Sequence, residues 1–154
     1  MSEQTTAPHD GGPSTPLHVV TSAENDWFLQ SLVSMVNSSD LEIGITLFVG
    51  GFLVSGQLIG GKHYFEGFGA TFAGSFNDAN GAAGLKESFA NWGKVYLEED
   101  GSYKKGVDQP YYIHLKNART FHPSGSPIPG NGGVWWRGRL REVSGFNLGT
   151  LHQD

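Results

Sequence analysis

Cysteine is absent from the 154 residues, which excludes a disulfide framework, a thiolate metal site and a cysteine nucleophile, and fits a reducing compartment. Charge is sparse, at 16% of residues. No basic N-terminal segment runs into an apolar one, so no secretory signal is expected. A long uninterrupted apolar run is also missing. The best candidate, Leu41 to Gly61, is broken by Glu42, by six glycines and by Thr46, Ser55 and Gln57, and it alternates where a membrane helix would run on. The expected location is the cytoplasm, with no membrane contact.

What the chain does contain is aromatic surface and an uneven charge. Aromatic residues make up 12% of the sequence, enough for a core that a disordered chain would lack. The length suits one domain with a real core. The net charge is −5, but residues 1–110 hold five Lys/Arg against thirteen Asp/Glu, while residues 111–141 hold Lys116, Arg119, Arg137, Arg139 and Arg141 and no acid. An acidic body with one basic segment suits pairing with its own kind or with an acidic protein surface. A nucleic-acid binder would be served better by an overall basic domain.

Residues 1–20, rich in Ser, Thr, Gly and Pro, are expected to form a disordered tail, leaving 21–154 as a single α+β domain. Thr21-Ser-Ala-Glu24 has capping-box spacing, and Phe28, Leu32, Met35 and Val36 then recur at helical intervals, which predicts a helix of about four turns. From Leu41 the period becomes two, with Ile43, Ile45, Leu47 and Val49 on one face and Glu42, Gly44, Thr46 and Phe48 on the other. Gly50-Gly51 supplies a type I′ turn into a second strand, Phe52 to Ile59. Phe65, Phe68, Phe72 and Phe76, then Leu85, Phe89, Trp92 and Tyr96, predict two amphipathic helices on either side of a loop at 77–84. Their glycines, Gly67, Gly69 and Gly74, weaken the first helix by ~1 kcal/mol each relative to Ala. These helices form an insertion at about 62–110. Tyr111 to Phe121, Val134 to Leu140 and Phe146 to Leu151 complete five strands. Short antiparallel strands need closure or cover, so the predicted fold is a small five-stranded antiparallel barrel or bent sheet with an N-terminal helix. The element order resembles that of Sm-like barrels, with the helical insertion between strands 2 and 3 as a departure.

The chemistry-bearing motifs are few. Gly56 to Lys62 has phosphate-loop spacing, but His63 stands where a Ser or Thr hydroxyl is required. None of the six histidines, His9, His18, His63, His114, His122 and His152, is spaced with another ligand as a metal site requires. Ser124-Gly-Ser126 beside His122 has no acid nearby, and Glu98-Glu99-Asp100 reads as a solvated turn. No catalytic, cofactor or metal residue is therefore assigned, and the chain reads as non-enzymatic.

The informative stretch is Val134-Trp-Trp-Arg-Gly-Arg-Leu-Arg141. Alternation places Val134, Trp136, Gly138 and Leu140 on the core face of a strand, and Trp135, Arg137, Arg139 and Arg141 outward as a candidate interaction face. Guanidiniums behind an indole suit carboxylates, phosphates or stacked planar groups. A solvated strand face paired with the chain's own acids is the plainer alternative, and it or a protein contact is favoured over nucleic acid.

His114-Leu-Lys-Asn117, Trp136-Arg-Gly138 and Val143-Ser-Gly-Phe-Asn-Leu-Gly149 resemble the C-terminal pattern of the gas vesicle accessory protein family GvpU. The hairpin with Ser55-Gly56 followed by Tyr64-Phe65 is similar to the same family. The resemblance spans about residues 25–150 in element order. It implies a gas-vesicle-associated, non-enzymatic protein acting on vesicle assembly or clustering through contacts with the shell, with other gas vesicle proteins, or with itself as a homo-oligomer. The rival reading, from the element order, is an Sm-like RNA-binding module.

Overall fold

The structure, a computed structural model, describes residues 25–105, 109–122 and 126–151. The expected tail at 1–20 and the capping box at Thr21 and Glu24 lie outside these. Three helices, α1 (Trp27–Asn37), α2 (Gly61–Ala73) and α3 (Ala79–Gly93), accompany five strands, β1 (Ile43–Val49), β2 (Phe52–Ile59), β3 (Tyr112–Phe121), β4 (Val134–Arg139) and β5 (Val143–Leu148). The strands form one antiparallel sheet in the order β4-β3-β2-β1-β5, an α+β architecture with the helical pair inserted between β2 and β3 as expected.

Helix α1 begins at Asp26, whose carboxylate accepts from the amides of Phe28 (2.8 Å) and Leu29 (3.4 Å). Its buried face differs from the expected one. Leu29, Val33 and Val36 are inside, whereas Phe28 and Met35 are exposed. Both sets satisfy helical spacing, and only the partner surface chooses between them. The sheet offers Ile45, Leu47, Val54, Leu58, Ile113 and Leu115, against which branched side chains pack closely. Each fully buried Leu, Ile or Val contributes ~1.5–3 kcal/mol. Phe28 is left to the rim, where its ring lies 5.7 Å from that of Phe146.

The β1–β2 hairpin turns on Gly50 (φ 57°) and Gly51 (φ 84°), the two positive angles of the expected turn. Thr46, on the face opposite the core, is buried but satisfied, with its hydroxyl 2.9 Å from both Ser55 Oγ and the Gly149 carbonyl. β3 carries a bulge at Asn117, which sits at φ 51°. The pairing jumps from Ser55↔Arg119 to Gln57↔Lys116, and on the other side from Leu115↔Trp136 to Ala118↔Val134. Glycine flanks the bulge on both neighbours. A Cβ on Gly56 would lie 2.9 Å from the Ala118 Cα, and one on Gly133 would overlap the Asn117 backbone. Bulges raise local twist, and the connection between the outer strands shows the result. β4 and β5 are joined by the 3₁₀ turn Leu140–Glu142 alone. In a flat sheet their axes would stand about 19 Å apart at four spacings of about 4.8 Å, beyond the reach of about 14 Å for four residues. The sheet is therefore strongly bent.

It does not close. Of the two expected forms, barrel and bent sheet, the barrel is corrected: among the described residues β4 pairs with β3 and β5 with β1, and no ladder joins them. The 3₁₀ turn carries the chain onward from one outer strand into the other and does not fold it back as a hairpin, so the two strands follow end to end.

The insertion packs on itself through aromatic rings. Phe89 lies 5.3 Å from Phe68 and 4.8 Å from Trp92 between ring centres. Gly69 touches the Phe89 side chain closely enough to leave no room for a Cβ. The loop expected at 77–84 is shorter, because Asp78 caps α3 at once by accepting from the Gly81 amide at 2.8 Å. The last strand runs from Val143 to Leu148, earlier than the expected 146–151.

Candidate functional site

β4 lies at an edge of the sheet, and its alternation divides the side chains as the sequence predicts. Leu140, just beyond the strand, is buried, and Trp136 packs against the core. The Trp136 ring lies over Gly138, where a Cβ would overlap it.

The outward set is not one continuous surface. Trp135 lies under α2: its indole meets Gly67 with no room for a Cβ, its Nε1 donates to Thr71 Oγ1 at 2.9 Å, and Tyr64 stands edge-on at 6.2 Å. This tryptophan fastens the insertion to the sheet, and the Gly67 that sequence reasoning counted against the helix is its seat.

Arg137 comes next on that face. Its Nε donates to Nε2 of His114 at 3.2 Å, and its guanidinium carbon stands 3.6 Å above the centre of the Tyr112 ring. The register explains both contacts, since β3–β4 pairing sets His114 opposite Arg137 and Tyr112 opposite Arg139. His114 is 1% exposed. Burial first, and the Arg137 charge second, lower its pKa to about 3. A neutral imidazole that accepts at Nε2 carries its proton on Nδ1, and among the described residues Nδ1 has no partner. The Tyr64 ring centre is 4.7 Å away. Burial also raises the Tyr64 and Tyr96 hydroxyls, with Arg137 opposing in both cases.

Arg139 and Arg141 reach the open surface. With Asn25, Tyr111 and Tyr112 they line a cleft of about 570 Å³. Arg141 Nε is 3.2 Å from the carboxylate of its neighbour Glu142, both exposed, a contact of small worth in water. Among the described residues Arg139 has no ion pair. Tyr111 is 71% exposed. Two guanidiniums beside two phenol rings offer paired hydrogen bonds to a carboxylate or phosphate and a flat surface for a planar or apolar neighbour.

A second polar cluster escaped the sequence. Asp40 after α1, His63 in the first turn of α2 and Tyr103 meet on the surface. His63 Nε2 is 2.8 Å from Asp40 Oδ1 and 3.0 Å from the Tyr103 hydroxyl, which donates to the same carboxylate oxygen. The Tyr103 and then the His63 bond lower the Asp40 pKa, while desolvation first and Asp40 second raise Tyr103 to about 12. Separations of 23 to 63 residues leave no linear signal for such a group.

The glycines that suggested a phosphate loop are filled from within the chain. A Cβ on Gly60 would overlap the Val36 carbonyl and one on Gly61 the Tyr96 ring, while the Gly61 amide donates to Asn37 Oδ1 at 2.9 Å. No phosphate fits where Val36, Asn37 and Tyr96 already stand. Among the described residues no group of three His, Asp or Glu side chains is placed to hold a metal, and no helix is long and apolar enough to cross a membrane. His9, His18, Ser124 and His152 lie outside those residues.

No curated protein and no solved structure matches the chain. The model of one family, described as gas vesicle protein GvpU-like, matches residues 26–151, from the cap of α1 to just past β5. That span takes in the hairpin, the helical insertion and the basic strand, and the chain belongs to the GvpU-like family of gas vesicle proteins.

Proposed function

We propose that this protein is a non-enzymatic accessory factor that influences gas vesicle assembly or clustering, with residues 21–154 acting as one unit. It works through protein contacts made by the exposed end of β4 and through self-association. The observation that carries this reading is the cleft between Arg139, Arg141, Tyr111 and Tyr112, a basic and aromatic surface on a chain of net charge −5. Such a surface selects an acidic protein partner, on the vesicle shell, on another gas vesicle protein or on a second copy. Trp135 and Arg137 support the cleft from below, by holding α2 to the sheet and by stacking on Tyr112.

The direct test is flotation. Purified protein mixed with isolated gas vesicles from its own source rises with them and alters their clustering. Protein that stays in the infranatant, with vesicles that cluster equally without it, overturns the assignment.

A second reading, an Sm-like RNA-binding module, draws on the element order of one helix before five strands and on the exposed Tyr111 beside two arginines, which suits base stacking. It requires binding of single-stranded RNA that weakens steeply with salt. Absence of RNA binding at low salt removes it.

A further inference from the structure

The outer strands β4 and β5 each end the sheet with an unpaired edge among the described residues. The amides that face outward can be identified. Leu140 N donates to the Tyr111 carbonyl and Gly149 N to the Gly44 carbonyl. Strand alternation then turns Trp135, Arg137 and Arg139 outward on β4, and Ser144, Phe146 and Leu148 outward on β5. Each edge offers the backbone groups of three residues.

Soluble proteins guard such edges with charge, proline or cover. β5, Val-Ser-Gly-Phe-Asn-Leu, contains neither charge nor proline, and Leu148 at its end is 67% exposed. β4 differs in two ways. It carries Arg137 and Arg139, and beside it runs a groove of about 410 Å³ lined by Phe68, Phe72, Thr71, Val134 and Trp135. A free strand edge beside an apolar groove is the arrangement that accepts an added strand: the ladder gives affinity, and the groove takes a large apolar side chain.

Charge decides which strand is added. Pairing β4 with β4 would bring arginines against arginines, which like-charge repulsion opposes. An uncharged strand with an exposed leucine meets no such penalty, and β5 is that strand. We propose that β5 of a second copy adds to the β4 edge, so that copies of this chain join head to tail through one continued sheet. The contact is heterologous, and it builds a closed ring or an open filament according to the rotation between copies. The inference rests on the self-association reading above and gives that reading a surface.

Two variants block one edge each. Leu148→Lys charges the β5 edge at an exposed position. Arg139→Pro removes an outward amide that no strand of its own sheet uses, and φ at this residue is −83°, near the proline value. Arg139→Ala loses the charge but keeps the amide and is the control. Circular dichroism and urea midpoints confirm that each variant is folded.

In sedimentation velocity the full chain is expected to run as assemblies larger than a dimer, and Arg139→Ala with it. Leu148→Lys and Arg139→Pro are each expected at the 16.6 kDa of one chain. Mixed in equal amounts they are expected to form a dimer and nothing larger, because only one competent pair of edges remains. A full chain that is monomeric at every concentration overturns self-association and this inference together. Assemblies that survive both blocked variants, variants that each dimerise alone, or a mixture that stays monomeric overturn the head-to-tail edge while leaving self-association in place.

Discussion

Arg137 donates its Nε hydrogen to Nε2 of His114 across 3.2 Å, and a cation thereby keeps a buried imidazole neutral. The consequence is acid sensitivity. The His114 pKa falls from 6.5 to about 3 on folding. Below pH 6.5 the unfolded chain therefore binds a proton that the folded chain refuses, and stability drops as pH falls, by about 1.4 kcal/mol per pH unit down to the folded value. Above pH 6.5 both states are neutral at this site and it adds no pH dependence. Urea unfolding at pH 7 and pH 5.5 is expected to show the loss in the native protein, and His114→Gln, which has no basic nitrogen, is expected to show much less of it.

Trp135 and Gly67 form the seat of the insertion. Trp135→Ala removes a large ring from beneath α2 and is expected to destabilise by about 3–5 kcal/mol. Gly67→Ala forces a methyl into the indole and is expected to lose about 1–3 kcal/mol, although alanine is the better helix former. If Gly67→Ala instead raises the urea midpoint, helix propensity outweighs the contact and the seat is wrong.

The strands and the hairpin were legible in the sequence because period-two alternation and Gly50-Gly51 are local signals. The phase of α1 was not. Phe28-Leu32-Met35 and Leu29-Val33-Val36 are both helical stripes, and only the sheet opposite selects the second. The basic strand was readable as a strand with two faces, but its outward face was not readable as two environments. The covering of Trp135 depends on a helix more than sixty residues earlier in the chain. The Asp40–His63–Tyr103 cluster is wholly tertiary, and no spacing rule reaches it. The open sheet followed from the three-residue link between β4 and β5, a feature visible only once both strand ends are placed.

Tyr103 provides a reporter for that cluster. Its pKa rises to about 12 through desolvation and the Asp40 carboxylate. A folded value above the unfolded 10.0 means that its contribution is present below pH 10 and is lost as pH rises through the folded value. Absorbance titration is expected to show one tyrosine ionising near pH 12 that is missing from Tyr103→Phe. Asp40→Asn removes the repelling carboxylate and is expected to bring that tyrosine back toward its ordinary range.

Gly133 and Asn117 test the bulge. Gly133→Ala is expected to destabilise by about 1–3 kcal/mol, because its methyl overlaps the Asn117 backbone. Asn117→Gly is expected to be close to neutral, since glycine adopts the same positive φ freely. Asn117→Val places a β-branched residue at that φ and is expected to lose about 1–3 kcal/mol. Thermal unfolding of the three variants gives the order directly, and equal losses for glycine and valine would show that the Asn117 side chain, not its backbone angle, matters.

The charge argument for the cleft makes a prediction that separates placement from net charge. Arg139→Glu with Arg141→Glu reverses the two guanidiniums that line the cleft. Arg119→Glu alters charge at a different surface, beside Gln57, Asn117 and Thr150. If the cleft is where an acidic partner docks, the double variant is expected to reduce the fraction that floats with vesicles at least about tenfold, and the binding that remains is expected to vary less with salt, since the screened pairs are gone. Arg119→Glu is expected to float nearly as the native protein does. The native protein itself should release as ionic strength rises past the range in which the Debye length falls to about 8 Å. Equal loss in both variants would trace attraction to total charge, and flotation indifferent to salt would place the contact on the apolar surfaces instead, at Phe72, Trp92 and the groove beside β4.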